Sequence, residues 1–258
     1  MLAEIASHNE KAIQDAIDRF DAAARRSEVS SENRTVQVKE TDAPRIFSTI
    51  ARRFDLSVLM QSEPNVADNT EIIEMSLFQS GRPLVVVPYI QKEGLRLDRL
   101  VCCWDGSRAA TRAINDALPL LVKAATVDLL IVLNEKTRRG ENEIRGVEMA
   151  RHLARHGVRV QIETTSAADI DVGNAILSYV ADRAASLIVM GGYGHSRLRE
   201  LILGGVTRDL LKSMTVPVFM GGTGDLLQLA LSVPLARTEP RRIAAEQSRH
   251  DRYDRSVG

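Results

Sequence analysis

The chain has 258 residues, 44% of them hydrophobic and 26% charged, a mixture that supports a soluble globular fold with one large domain or two ordinary ones. Lys plus Arg and Asp plus Glu balance at 34 each, so no global basic surface exists for nucleic acid or an anionic membrane. No apolar run approaches the roughly 20 residues that span a bilayer. Taken in chain order, the pattern opens with a helical stripe of Leu2, Ile5, Ala12, Ile13, Ala16, Ile17 and Phe20. Glu4, Glu10 and Asp15 stand where a secretory signal would carry a basic flank and an apolar stretch.

A helix-then-strand pattern follows over 42–60, and Leu84-Val85-Val86-Val87-Pro88 reads as a further strand. From residue 98 the alternation is regular. It predicts strand 99–104, helix 107–124, strand 127–133, helix 141–156, strand 158–164, helix 171–184, strand 186–190, a helix from about 198 or 205 to 213, and strand 216–220. Five βα units of this kind imply a doubly wound, mainly parallel sheet covered on both faces, with right-handed crossovers. Cys102 and Cys103, the two cysteines, are adjacent inside the first of these strands, which suits reduced interior residues in a cytoplasmic protein better than a structural disulfide.

The first ninety residues read as part of the same unit a second time. Asp42 to Met60 can be laid over Val172 to Met190 without a gap, matching Ile46 with Ile176, Ser48 with Ser178, Ala51 with Ala181, Arg53 with Arg183 and Met60 with Met190. Val36-Gln37-Val38 echoes Val160-Gln161-Ile162, and the run through Pro88 echoes the terminal strand around Pro217. The expected organisation is an incomplete copy over 1–92, a complete domain over 93–222, and a polar tail over 223–258 with a short apolar segment at Leu226 to Leu235.

The most informative stretch is the strand Leu187-Ile188-Val189-Met190, which runs into Gly191-Gly192-Tyr193-Gly194-His195-Ser196-Arg197 and, after nine residues that follow Gly194, Gly204-Gly205-Val206-Thr207. Glycines at a strand end that opens a helix let backbone N–H groups approach an anion, and the helix amino end favours negative charge. A lysine-tipped phosphate loop is absent, and Arg197 occupies the third-glycine position of a dinucleotide fingerprint. The spacing resembles G-x-x-G-x9-G-[S/T], the nucleotide-binding signature of the universal stress protein (UspA-like) family. Val101-Cys102-Cys103-Trp104-Asp105-Gly106-Ser107 resembles that family's first strand and adenine-side loop, and Thr215-Val216-Pro217-Val218-Phe219-Met220 its last strand.

The resemblance implies a tandem-domain member with a truncated first domain and an adenine nucleotide alpha hydrolase-like fold. It also implies a site for ATP or a related adenine nucleotide in the second domain, with Mg2+ accompanying the nucleotide only. Asp105 would contact adenine or ribose; Met190, Gly191, Gly194, Gly204, Gly205, Val206 and Thr207 would form the cradle for ribose and phosphates. Asp105 or Ser107 can equally cap the following helix. Gly205 replaces the family's Ser or Thr and so removes a phosphate-binding hydroxyl, which Thr207, His195, Ser196 or Arg197 could replace.

In the earlier copy, Glu63 and Pro64 replace the glycine loop, and a carboxylate with a missing N–H argues against phosphate there. His152 and His156 share a helix face without a zincin pattern or third ligand, and no glycine-flanked serine elbow occurs. Any hydrolysis is therefore expected to be slow, in a stress-response protein. The alternative is a nucleotide-free interaction or dimerisation module. The missing opening βαβ unit of the first copy implies either a start site upstream of Met1 or an eroded domain leaning on a neighbour. The final strand implies a homodimer, or a pseudo-dimer of the two copies, since pairing there would cover a sheet edge.

Overall fold

The computed structural model describes residues 2–133, 141–167, 171–192 and 205–222. The amphipathic opening stripe forms α1 (Leu2–Arg26), on which Ile13 and Phe20 remain 45% and 54% exposed. A 3-10 turn leads into α2 (Ala43–Ala51), then β1 (Ser57–Met60), α3 (Thr70–Gln79) and β2 (Leu84–Val87). Here one expectation fails. Val36-Gln37-Val38 forms no strand, and both valines are exposed. Its counterpart at Val160 is a strand because a neighbouring strand supplies its hydrogen bonds. Among the described residues, no strand pairs with residues 36–38.

The second half follows the predicted alternation: β3 (Arg99–Cys103), α4 (Arg108–Asp116), α5 (Leu118–Leu121), β4 (Thr126–Leu133), α6 (Glu141–Arg155), β5 (Val160–Ser166), α7 (Val172–Asp182), β6 (Leu187–Gly191), α8 (Gly205–Ser213) and β7 (Val218–Gly221). The helix expected over 107–124 is two pieces. Pro119 has no N–H for an intrahelical bond, and the break falls at Ala117, with Pro119 in the first turn of α5. The helix expected to reach 184 ends at Asp182, beyond which Ala184 turns left-handed at φ 49°.

All seven strands form one sheet in the order β1-β2-β7-β6-β3-β4-β5. Every neighbouring pair is parallel except β2 with β7, where Leu84, Val85 and Val86 oppose Met220, Phe219 and Val218. The last strand thus finds its partner within the chain and has no free edge. The free edges are β1 and β5, and the outward face of β1 leaves Val58 and Met60 exposed.

Helices α4 and α6 cover one face of the sheet, where Leu100, Cys102, Ile114, Leu129, Leu153 and Phe219 pack together. Helices α3, α7 and α8 cover the other, with Leu77, Val86, Val101, Ile176, Leu210 and Met220 at its centre. Cys102 and Cys103 lie between these layers, and burial raises both thiol pKa values, Cys103 to about 12. Both stay protonated in the folded chain while thiols of the unfolded chain ionise near 8.5. Their contribution to stability is complete below that pH and declines as pH rises, by about 1.4 kcal/mol per thiol per pH unit. Denaturant titrations from pH 8 to 10 should show this alkaline decline, and the Cys102→Ala/Cys103→Ala variant should flatten it.

Candidate functional site

The order of crossovers locates a crevice before any side chain is considered. From β3 the chain moves outward through α4 to β4 and α6 to β5, then returns across the opposite face through α7 to β6 and α8 to β7. The winding direction therefore reverses between β3 and β6, which are paired neighbours, and open parallel sheets bind ligands at the carboxyl edge of such a switch point. The turn Asp105-Gly106-Ser107 follows β3 at this edge, and Gly191-Gly192 ends and follows β6.

Local hydrogen bonds shape the first turn. Asp105 Oδ1 accepts from Ser107 N at 2.9 Å, Gly106 adopts φ +77°, and Ser107 Oγ accepts from Ala110 N at 3.1 Å to cap α4. The capping role is thus taken by Ser107, with Asp105 holding the turn that presents it. Trp104, the only tryptophan of the chain, lies just before Asp105 and is 8% exposed, and its indole N–H has no hydrogen-bond partner among the described residues. A buried donor without an acceptor is costly, and this one belongs to the residue next to the switch point. Cys103 beside it remains a thiol at neutral pH, because burial and then the Asp105 charge oppose its ionisation.

The glycines at the second turn divide by role. A Cβ on Gly191 would lie 2.6 Å from Ala110 N and 2.7 Å from the Ala109 carbonyl carbon, so the missing side chain lets α4 approach the sheet. Gly205, opening α8, has no described residue within 4 Å of where its Cβ would be. Met190 and Thr207 are buried, at 6% and 2% exposure, whereas Val206 is partly exposed at 37%. Gly194 and Gly204, together with His195, Ser196 and Arg197, lie outside the described residues, as does the tail over 223–258. What the described residues present at this edge is the Asp105 turn and open space beside Gly205 at the amino end of α8.

The structure also shows a polar cluster at the opposite, amino-terminal edge that the sequence reading missed. Asp128, fully buried on β4, accepts two bonds from Arg99 Nη1 at 2.9 and 3.0 Å, one from Gln161 Nε2 at 2.7 Å and one from the Tyr179 hydroxyl at 3.0 Å. Burial, followed by the Asp128 hydrogen bond and charge, raises the Tyr179 phenol pKa. The sequence signal was one acidic residue inside the otherwise apolar run 127–133. His152 on α6 and His156 just past its end do meet, their rings 4.8 Å apart and edge to face, with His152 Nε2 3.0 Å from Asn115 Oδ1.

The model of the Universal stress protein family matches residues 96–220, the stretch from just before β3 through β7. Residues 96–220 form a universal stress protein domain. A universal stress protein of Synechocystis sp. PCC 6803 is 30% identical over 141 residues, covering 53% of this chain but only 46% of that relative. The chain is also similar in fold to the solved structure of a universal stress protein from Archaeoglobus fulgidus DSM 4304, with TM-score 0.65 and 19% identity over 87% of this chain and 79% of that one. A functionally unknown protein from Pseudomonas aeruginosa PAO1 is similar over 85% of this chain and 82% of its own length, with TM-score 0.55 and 14% identity. The universal stress protein fold therefore extends to β1 and β2, upstream of the stretch that the family model matches. No described helix is long and apolar enough to cross a membrane.

Proposed function

We propose that this universal stress protein binds ATP or a related adenine nucleotide in the crevice between β3 and β6 and acts in a cytoplasmic stress response without strong catalysis. The observation that carries the reading is the coincidence of the switch point with the two turns, Asp105-Gly106-Ser107 and Gly191-Gly192, that resemble the family's nucleotide loops. In this reading, residues 43–87 are the last part of a second copy. Supporting this, α2-β1-α3-β2 has the order and parallel pairing of α7-β6-α8-β7, and the two meet antiparallel at β2 and β7. Mg2+ accompanies the nucleotide, and its phosphates lie near the amino end of α8.

Thermal unfolding with and without ATP and magnesium tests the reading, because a ligand confined to the folded state stabilises it by about 2.7 kcal/mol at a hundredfold excess over Kd. The midpoint should rise, and Gly194→Val should abolish the rise. Gly205→Ser should enlarge it, since the space at Gly205 admits the hydroxyl. One more bond to a charged acceptor is worth about tenfold or more in affinity. No rise at millimolar ATP in either the native chain or Gly205→Ser would favour the second reading, an interaction module without nucleotide. That alternative draws on the buried side chain of Thr207, the missing hydroxyl at Gly205, and the exposed apolar residues of α1 and β1.

A further inference from the structure

A cavity of about 670 Å³ lies where the two halves meet, between the loop over 61–69 and helix α8, away from the crevice between β3 and β6. Its volume is that of a site for a small organic ligand, roughly 300–1,000 Å³. Ile73, Val86 and Leu211 give it an apolar floor, and Val66 stands exposed in its wall. The loop is held in shape by its own bonds. Ser62 Oγ accepts from Asn69 N at 2.9 Å, Asn69 Nδ2 donates to Met60 O at 3.1 Å, and Asp68 Oδ1 accepts from Thr70 N at 2.9 Å. Gln61, buried, fastens the loop to α8 by donating to the carbonyls of Leu211 and Lys212 at 2.7 and 3.2 Å, while its Oε1 accepts from Tyr89 N. A wall fixed this way loses little entropy on binding.

Two charges of opposite sign line the cavity unused. Glu63 on the loop and Lys212 on α8 form no ion pair with each other or with any other described residue. Asp68, by contrast, is occupied by Thr70 and Ser62, and Arg208 leans toward Glu74 at 3.9 Å. An apolar cavity with one free carboxylate and one free ammonium on facing elements complements a ligand that carries both charges on an apolar body. We infer that this cavity binds a short apolar peptide as its zwitterion, with the peptide ammonium at Glu63 and its carboxylate at Lys212. The same pair disfavours a simple anion, because Glu63 would repel it.

Calorimetric titration with trileucine, N-acetyl-trileucine, trileucine amide and decanoate tests this. Trileucine should bind, and blocking either end should weaken binding about tenfold or more, as expected for loss of a charge-assisted hydrogen bond. Glu63→Gln should erase the discrimination against the acetylated peptide, and Lys212→Met the discrimination against the amide, each variant keeping the circular dichroism spectrum and melting profile of the native chain. No heat from trileucine at millimolar concentration would overturn the inference. So would equal binding of the blocked peptides, which would make the cavity merely apolar, or equal binding of decanoate, which would make it a site for anionic amphiphiles.

Discussion

Arg99→Met should destabilise the fold by about 3–5 kcal/mol, the cost expected when one partner of a buried ion pair is removed and the other charge is left behind. Asp128 has no exposure to solvent, whereas the Arg99 side chain keeps 29%, so the two deletions are unequal. Without Asp128 the guanidinium can turn toward water. Without Arg99 the carboxylate keeps only Gln161 and the Tyr179 hydroxyl. Chemical denaturation should therefore rank Arg99→Met below Asp128→Leu, and the double variant should recover most of the loss, because an apolar pair of similar volume leaves no buried charge. A double variant no more stable than Arg99→Met would show that the cluster acts through packing rather than charge.

The second large effect concerns a glycine that invites a ligand explanation. Gly191→Ala should cost about 1–3 kcal/mol, because the new methyl would collide with backbone atoms of Ala109 and Ala110 and α4 would have to move outward. In a chain of this size that lowers the melting midpoint by several degrees, at about 2–4 °C per kcal/mol. Gly221→Ala, one strand away, should behave alike, since its Cβ would lie 2.6 Å from Ala113 Cα on the same helix α4. Gly205→Ala is the control. With no described residue within 4 Å of the added methyl in the first turn of α8, it should be neutral or stabilising by about 0.4–1 kcal/mol. A Gly191→Ala variant of undiminished stability that failed to bind nucleotide would instead place Gly191 against the ligand.

These two cases mark where sequence reading stops. In the first turn the cap was legible because turn chemistry is local: Ser107, one of the two residues the sequence offered for that role, caps α4. Why Gly191 must be a glycine was not legible, since the crowding atoms belong to a helix some eighty residues earlier in the chain. Trp104 read as a strand-end hydrophobe, and only packing showed that its N–H finds no acceptor among the described residues. Outside the site, Val36–Val38 had the right residues for a strand and lacked the neighbour that a strand requires.

By itself the sequence determined the alternation of strands and helices from residue 98, the parallel character of that sheet, the buried thiols and the family of its second half. All of these rest on periodicity, turn residues and short spacings, which act over a few positions of the chain. Tertiary structure decided which edges meet: β2 against β7, Gln61 against the end of α8, and Arg99, Gln161 and Tyr179 around Asp128. Those choices depend on which surfaces must be buried together once the sheet has formed. A buried carboxylate takes whichever donors the completed sheet brings within reach, however far away they lie in the sequence.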